Sequence, residues 1–315
     1  MATKEQLNFS KMSQRNTLLF ILSRLDLTAM VLPIIVLIWR NAGLTFNQML
    51  FLQGIFALFI VIFEIPSGAI SDTFQRKHVL ATGYAMLAFA SFIYYLSHNF
   101  IGFAIAESTF GIGRATISGS DTSLLYDTLV LSNETKKFKR IMGRSIGLSL
   151  FVASVSLLIS GWIATHNLRL PLLLMAFSFC IRVFLCIMMI EPYRMKASNI
   201  KKATMGSVKL LLSKHVLIAI LFATLSAAVV QRVVFWAFQP KLLENGLNSF
   251  YIGLLFASFN VIAVIGSLTI PRIKDKHEDI VLLIILLSEN IHTFVVWHFN
   301  NLIILSTIGA FFVHC

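Results

Sequence analysis

The sequence predicts an all-α integral membrane protein that crosses the bilayer many times. Three observations carry this. Of its 315 residues, 57% are hydrophobic and only 13% charged, against roughly 25% charged in ordinary soluble domains. Apolar blocks long enough to cross a bilayer recur along the whole chain. The short loops between them alternate between strongly basic and almost uncharged. A soluble protein of this size has no means of hiding so much apolar surface, whereas lipid is its natural solvent.

A span needs about 20 apolar residues at about 1.5 Å rise each. That ruler marks ten segments, at about 17–39, 49–71, 79–97, 100–126, 142–164, 170–190, 215–238, 250–271, 280–298 and 302–315. Residues 1–16 are polar and carry Lys4, Lys11 and Arg15. The block after them is too long for a signal-peptide core, and no small-x-small cleavage site follows it, so it reads as a retained first span. The last segment has 14 residues, reaching about 21 Å of a core about 30 Å thick. The longest loop, 191–214, is basic and divides a six-span half, 1–190, from a shorter one, 215–315. A midpoint loop of this kind suits a duplicated architecture.

Loop charge sets the orientation. The loops on one side, with Arg144 just inside the fifth span, hold 19 Lys and Arg, and the other side holds three. The basic side is cytoplasmic, which places the N-terminus inside and the chain in the cell (plasma or inner) membrane. The net charge of +12 therefore belongs to topology and gives no patch for nucleic acid. Cys180 and Cys186 fall on different faces of one helix, and no metal or disulfide spacing appears. Gly111-Ile-Gly113 lacks the strand and third glycine of a dinucleotide loop and reads as close helix packing. No nucleophile–base pair, metal motif or phosphate loop is visible, so neither an enzyme nor a cofactor is expected.

Charges at membrane depth cost several kcal/mol and face a bundle interior or water. The candidates are Asp26, Glu64, Glu107, Asp121 and Glu289 against Arg24, Arg114, Arg182 and Arg232. Glu107, Arg114 and Asp121 are spaced seven and seven, which puts them on one stripe of a helix. The stripe is either a proton or substrate relay or a fixed network that locks helices together. Gln53, Glu64, Gly68 and Ser71 share a face of span two. Glu64 stands about 12 Å from Asp72 along the helix, just before Pro66, and is either a proton carrier or an acid paired with an arginine. Asp26, about 13 Å deep, is a further proton candidate. Arg232, beside Phe235 and Trp236, either grips an anionic substrate or pairs with an acid such as Glu289.

At the end of span two the chain reads Gly68-Ala-Ile-Ser-Asp72-Thr-Phe-Gln-Arg76-Lys77. This resembles the signature loop between the second and third helices of the major facilitator superfamily, with Thr73 in place of a common basic residue and Gln75 in place of glycine. Glu64-Ile-Pro66-Ser67-Gly68, Ser118-Gly119-Ser120-Asp121, the Leu124–Asp127 stretch and Gln239-Pro240 look like the same group. The resemblance implies a major-facilitator-like bundle, with a six-helix N-terminal half and an incomplete C-terminal half of about four spans. It also implies a secondary transporter of a small molecule working by alternating access, efflux or uptake, coupled to protons. Asp72, Arg76 and Asp127 map to a cytoplasmic latch whose loss shifts the inward/outward balance without blocking insertion. Span five lacks the proline of many family antiporters, and twelve spans are usual where ten are found. The competing expectation is a truncated, transport-incompetent relative with a structural or interaction role.

Overall fold

The structure, a computed structural model, describes residues 4–25, 27–118, 120–193, 239–240, 242–243 and 246–258. Asp26, Arg232, Glu289, loop residues 194–214 and most of the second half lie outside the described residues. All regular structure among the described residues is helical.

Helix α1 runs Lys4–Ser23, so the polar N-terminal stretch is helical and leads straight into the first span. That span is not one straight helix. After α1 come a 3-10 turn, Thr28–Val31, and α2, Ile35–Asn41, and the stretches Phe9–Val31 and Ile35–Asn41 meet at 41°. Pro33 lies in the break, where it removes one backbone donor and crowds the preceding turn. Gly43, with φ +77, closes the turn after α2, a conformation only glycine adopts at little cost.

Helix α3, Phe46–Thr73, opens on a capping box. The Thr45 N–H donates to Gln48 Oε1 at 2.8 Å, and the Gln48 N–H donates to Thr45 Oγ1 at 3.4 Å. It carries Pro66 in its interior. Helices α4, Arg76–Leu96, and α5, Phe100–Ser118, follow. Span four, expected as one helix, is divided: α6 begins again at Asp121 and runs to Leu131. The Ser120 N–H turns back to Ile117 O at 3.0 Å, a three-residue return that interrupts the regular ladder. Helices α7, Phe138–His166, and α8, Leu170–Met188, complete the first half. A shorter apolar helix, α9, covers Ser249–Ser258.

Four described helices are long and apolar enough to cross a membrane, or five when the bent first pair is counted as one span. The division of the whole chain into six and four spans rests on sequence. Helix α5 has 19 residues, long enough for about 28 Å, with Glu107 and Arg114 in its interior. Large apolar side chains lie exposed along the long helices, among them Val61, Phe89, Ile101, Phe151, Phe177 and Phe184. Such faces suit hydrocarbon and not water.

Helix α5 sits between α3 and α4, and α4 also packs on α8. Glycines set the spacing. A Cβ on Gly111 would meet Phe56 O of α3 at 2.7 Å, and one on Gly113 would meet Gly83 O of α4 at 3.0 Å. These two glycines therefore let α5 approach a neighbour on each side, the packing role expected from the sequence. A third close approach joins α7 to α9, where a Cβ on Gly161 would stand 3.3 Å from Gly253 Cα. Around it Ala29, Leu157, Leu242, Ile252 and Phe256 form an apolar cluster.

Candidate functional site

A cavity of about 760 Å³ lies among α2, α3, α4, α5, α6, α7, α8 and the turn between α1 and α2. Its apolar wall includes Phe56, Ile60, Phe110, Met175 and Phe179. Set into that wall are three acids, Glu64, Glu107 and Asp121, and three arginines, Arg24, Arg114 and Arg182. All three members of the seven-spaced stripe line the same cavity, although the helix carrying them is divided before Asp121.

Most of these charges are engaged. Glu107 is 6% exposed and accepts from Tyr94 Oη at 2.6 Å and from Gln53 Nε2 at 2.9 Å. Arg24 donates to Asp121 at 2.9 Å and lies over the Phe20 ring, which ties span one to span four. Arg182 donates to Leu25 O and lies over the rings of Tyr84 and Phe179. A cation over an aromatic face in a desolvated site gains about 2 kcal/mol. Glu64 accepts from Ser118 Oγ at 3.2 Å and remains exposed. Arg114 is also exposed. Among the described residues it makes no hydrogen bond or ion pair.

A second polar cluster lies at the Asp72 and Asp127 ends of α3 and α6. Arg76, first residue of α4, forms an ion pair with Asp127. Glu191, beyond α8, accepts from the backbone N–H groups of Arg76 at 2.9 Å and Lys77 at 3.0 Å. A carboxylate there satisfies two orphan donors and favours the positive end of the helix dipole. Asp72 is exposed, and among the described residues it makes no ion pair with Arg76. Of the three residues expected to form a latch, Arg76 and Asp127 are therefore brought together as an ion pair, beside Glu191, and Asp72 stands apart. The physical reason is rotation: Asp72 ends α3 on its exposed face, whereas Asp127 faces α4. Gly68 has no described atom within 4 Å of a Cβ built on it. Lys77 is partly exposed. Pro66 is flanked by Ser67, whose hydroxyl donates to Ala115 O of α5 at 2.9 Å.

Asn16 is a joint with no sequence signal. It is fully buried, donates to Thr128 Oγ1 at 3.0 Å and Ile190 O at 2.8 Å, and accepts from the Ile190 N–H at 2.9 Å. One side chain therefore joins α1, α6 and the segment after α8. Glu191 had a faint signal, as the one acid in a basic loop. The partners of Arg24 and Glu107 had none, because helical rotation decides them. No group of three or more potential metal ligands occurs among the described residues.

Residues 17–313 match the family model of the Major Facilitator Superfamily. Over 104 residues, 33% of this chain and 26% of the relative, the chain is 34% identical to an uncharacterized transporter of Buchnera aphidicola subsp. Acyrthosiphon pisum. Over 117 residues it is 34% identical to the inner membrane transport protein YajR of Escherichia coli, covering 37% of this chain and 24% of that one. The matched chain thus spans about a quarter of each relative's length. Among solved structures, the nucleoside transporter NupG aligns with TM-score 0.75 and 12% identity over 96% of this chain and 80% of its own. A D-xylose–proton symporter aligns with TM-score 0.65 and 14% identity over 95% and 79%. At these identities the structural likeness speaks for the fold alone.

Proposed function

The chain belongs to the major facilitator superfamily, and from that premise we propose that it moves a small molecule across a cell membrane by alternating access, coupled to protons. The observation that carries this reading is the cavity. It combines an apolar wall with acids and bases drawn from spans one, two, four and six, and ionisable groups at this depth mark substrate and proton pathways. Its partners are the bilayer, the solute and protons.

Loop charge, 19 against three, supports a cytoplasmic N-terminus, and the relative from Escherichia coli is named for the inner membrane. In that orientation the Arg76–Asp127 pair and Glu191 stand at the cytoplasmic mouth, and the Gly161–Gly253 contact stands on the outer side. The close glycine contact supports a conformation shut outside. The basic stretch 191–214 then joins the half 1–190 to 215–315.

Glu107 is our choice for the proton site. It is a buried carboxyl on the cavity wall, and its two donors can stay with it whether or not it carries a proton. Asp26 and Glu64 are the alternatives on spans one and two. The test is reconstitution into liposomes with a trapped pH dye and a panel of small solutes. At least one solute gradient is expected to drive proton movement. Glu107→Gln is expected to abolish that movement while solute binding remains. Bound solute that drives no proton movement in the unmutated protein overturns the coupling.

A further inference from the structure

We propose that the solute carried in this cavity is an organic acid with an aromatic or similarly flat apolar body, its anionic group held by Arg114 and its ring laid against Phe110. The inference rests on the transport reading of the cavity and goes further by naming the chemistry of what fills it.

The argument begins with the cavity's arginines. Arg24 is neutralised by Asp121, and Arg182 is held by Leu25 O and two rings. Glu107 is closed off by Tyr94 and Gln53. That leaves Arg114 as the cavity arginine without a hydrogen bond or ion pair among the described residues, and it is exposed. A guanidinium at membrane depth is costly unless a counter-charge or water receives it. Its planar fork fits a carboxylate or phosphate through two parallel hydrogen bonds.

Phe110 precedes Arg114 by four residues, so the two share a face of α5 about one turn apart. The ring is held in place by Tyr94 at 5.9 Å and Phe179 at 6.3 Å between centroids. Phe56 faces the same space from α3. A fixed aromatic wall one turn from a guanidinium suits a ring separated from an anionic group by a few ångströms. Arg114 feels the charge of Asp121, but that carboxylate is already paired with Arg24, and Glu64, an exposed acid of the cavity, accepts from Ser118, so a neutral sugar or a cation would leave the hydrogen-bonding fork of Arg114 unfilled.

The experiment uses the full chain in nanodiscs and two matched probes, naphthalene-2-carboxylate and its uncharged primary amide. Binding is read by equilibrium dialysis against empty nanodiscs. The carboxylate is expected to bind at least about tenfold more tightly than the amide, and Arg114→Gln to remove about tenfold or more of that affinity, as loss of a charge-assisted pair does. Equal binding of acid and amide by the unmutated protein overturns the proposal, as does undiminished carboxylate binding by Arg114→Gln. Transport is scored separately: carboxylate that binds through Arg114 but never crosses the membrane counts against transport and leaves the anion site standing. Flux of neutral solutes, unchanged in Arg114→Gln, does the reverse.

Discussion

Arg76 and Asp127 illustrate how a local motif becomes a tertiary contact. The motif spacing is readable along the chain, but the partner depends on which way each helix end faces. Asp72 is four residues from Arg76 in sequence and yet exposed, while Asp127, from another helix, closes the pair. The side chains of Arg76 and Asp127 are 13% and 28% exposed, so water screens the pair only in part. Arg76→Ala and Asp127→Asn are each expected to lower the unfolding temperature of the purified protein. In a double-mutant cycle the pair should show a coupling of about 1 kcal/mol. Additive losses would mean the contact contributes nothing. The seven-spaced stripe, by contrast, was legible because helical period alone fixes it. Arg24 as the partner of Asp121 was not, because that choice belongs to the packing of span one on span four.

At the scale of elements, the long apolar helices among the described residues were legible from hydropathy, and their interruptions were not. A window of about 20 residues averages over Pro33 and over the return at Ser120, so spans one and four read as continuous. Packing distance is likewise written in single residues. Gly111→Ala sets a methyl 2.7 Å from Phe56 O, a contact with backbone that cannot swing aside. It is expected to cost about 1–3 kcal/mol in thermal unfolding. Gly147→Ala, with nothing within 4 Å, is expected to cost nothing. The loop between α6 and α7 offers a pH test. Lys137 and the Ser13 hydroxyl, the latter at 2.7 Å, both donate to Glu134 and hold its carboxyl below the usual glutamate range. A depressed value means that stability is present above about pH 4.3 and is lost as pH falls further. The unfolding temperature of the unmutated protein should therefore exceed that of Glu134→Gln at neutral pH. The gap should narrow as pH falls below the ordinary glutamate range and close once the carboxyl is protonated in the folded protein. A gap that persists in acid would assign the effect to shape and not to charge.

At the scale of the whole molecule, composition and loop charge made the membrane and the bundle legible, and the residues around Gly68 and Arg76 pointed to the family. The cavity was legible only as a set of misplaced charges. Its shape depends on how seven helices rotate against one another, which no single segment encodes. The central claim is that this cavity opens to each side of the membrane in turn. Ser118→Cys, in a background with Cys180, Cys186 and Cys315 changed to serine, places a reporter on the cavity wall. A membrane-impermeant maleimide is then applied to either face of sealed, oriented vesicles. The expected result is labelling from both faces, with Arg76→Ala shifting the ratio between them. Labelling from one face alone, unaltered by Arg76→Ala, would contradict alternating access and leave a fixed bundle.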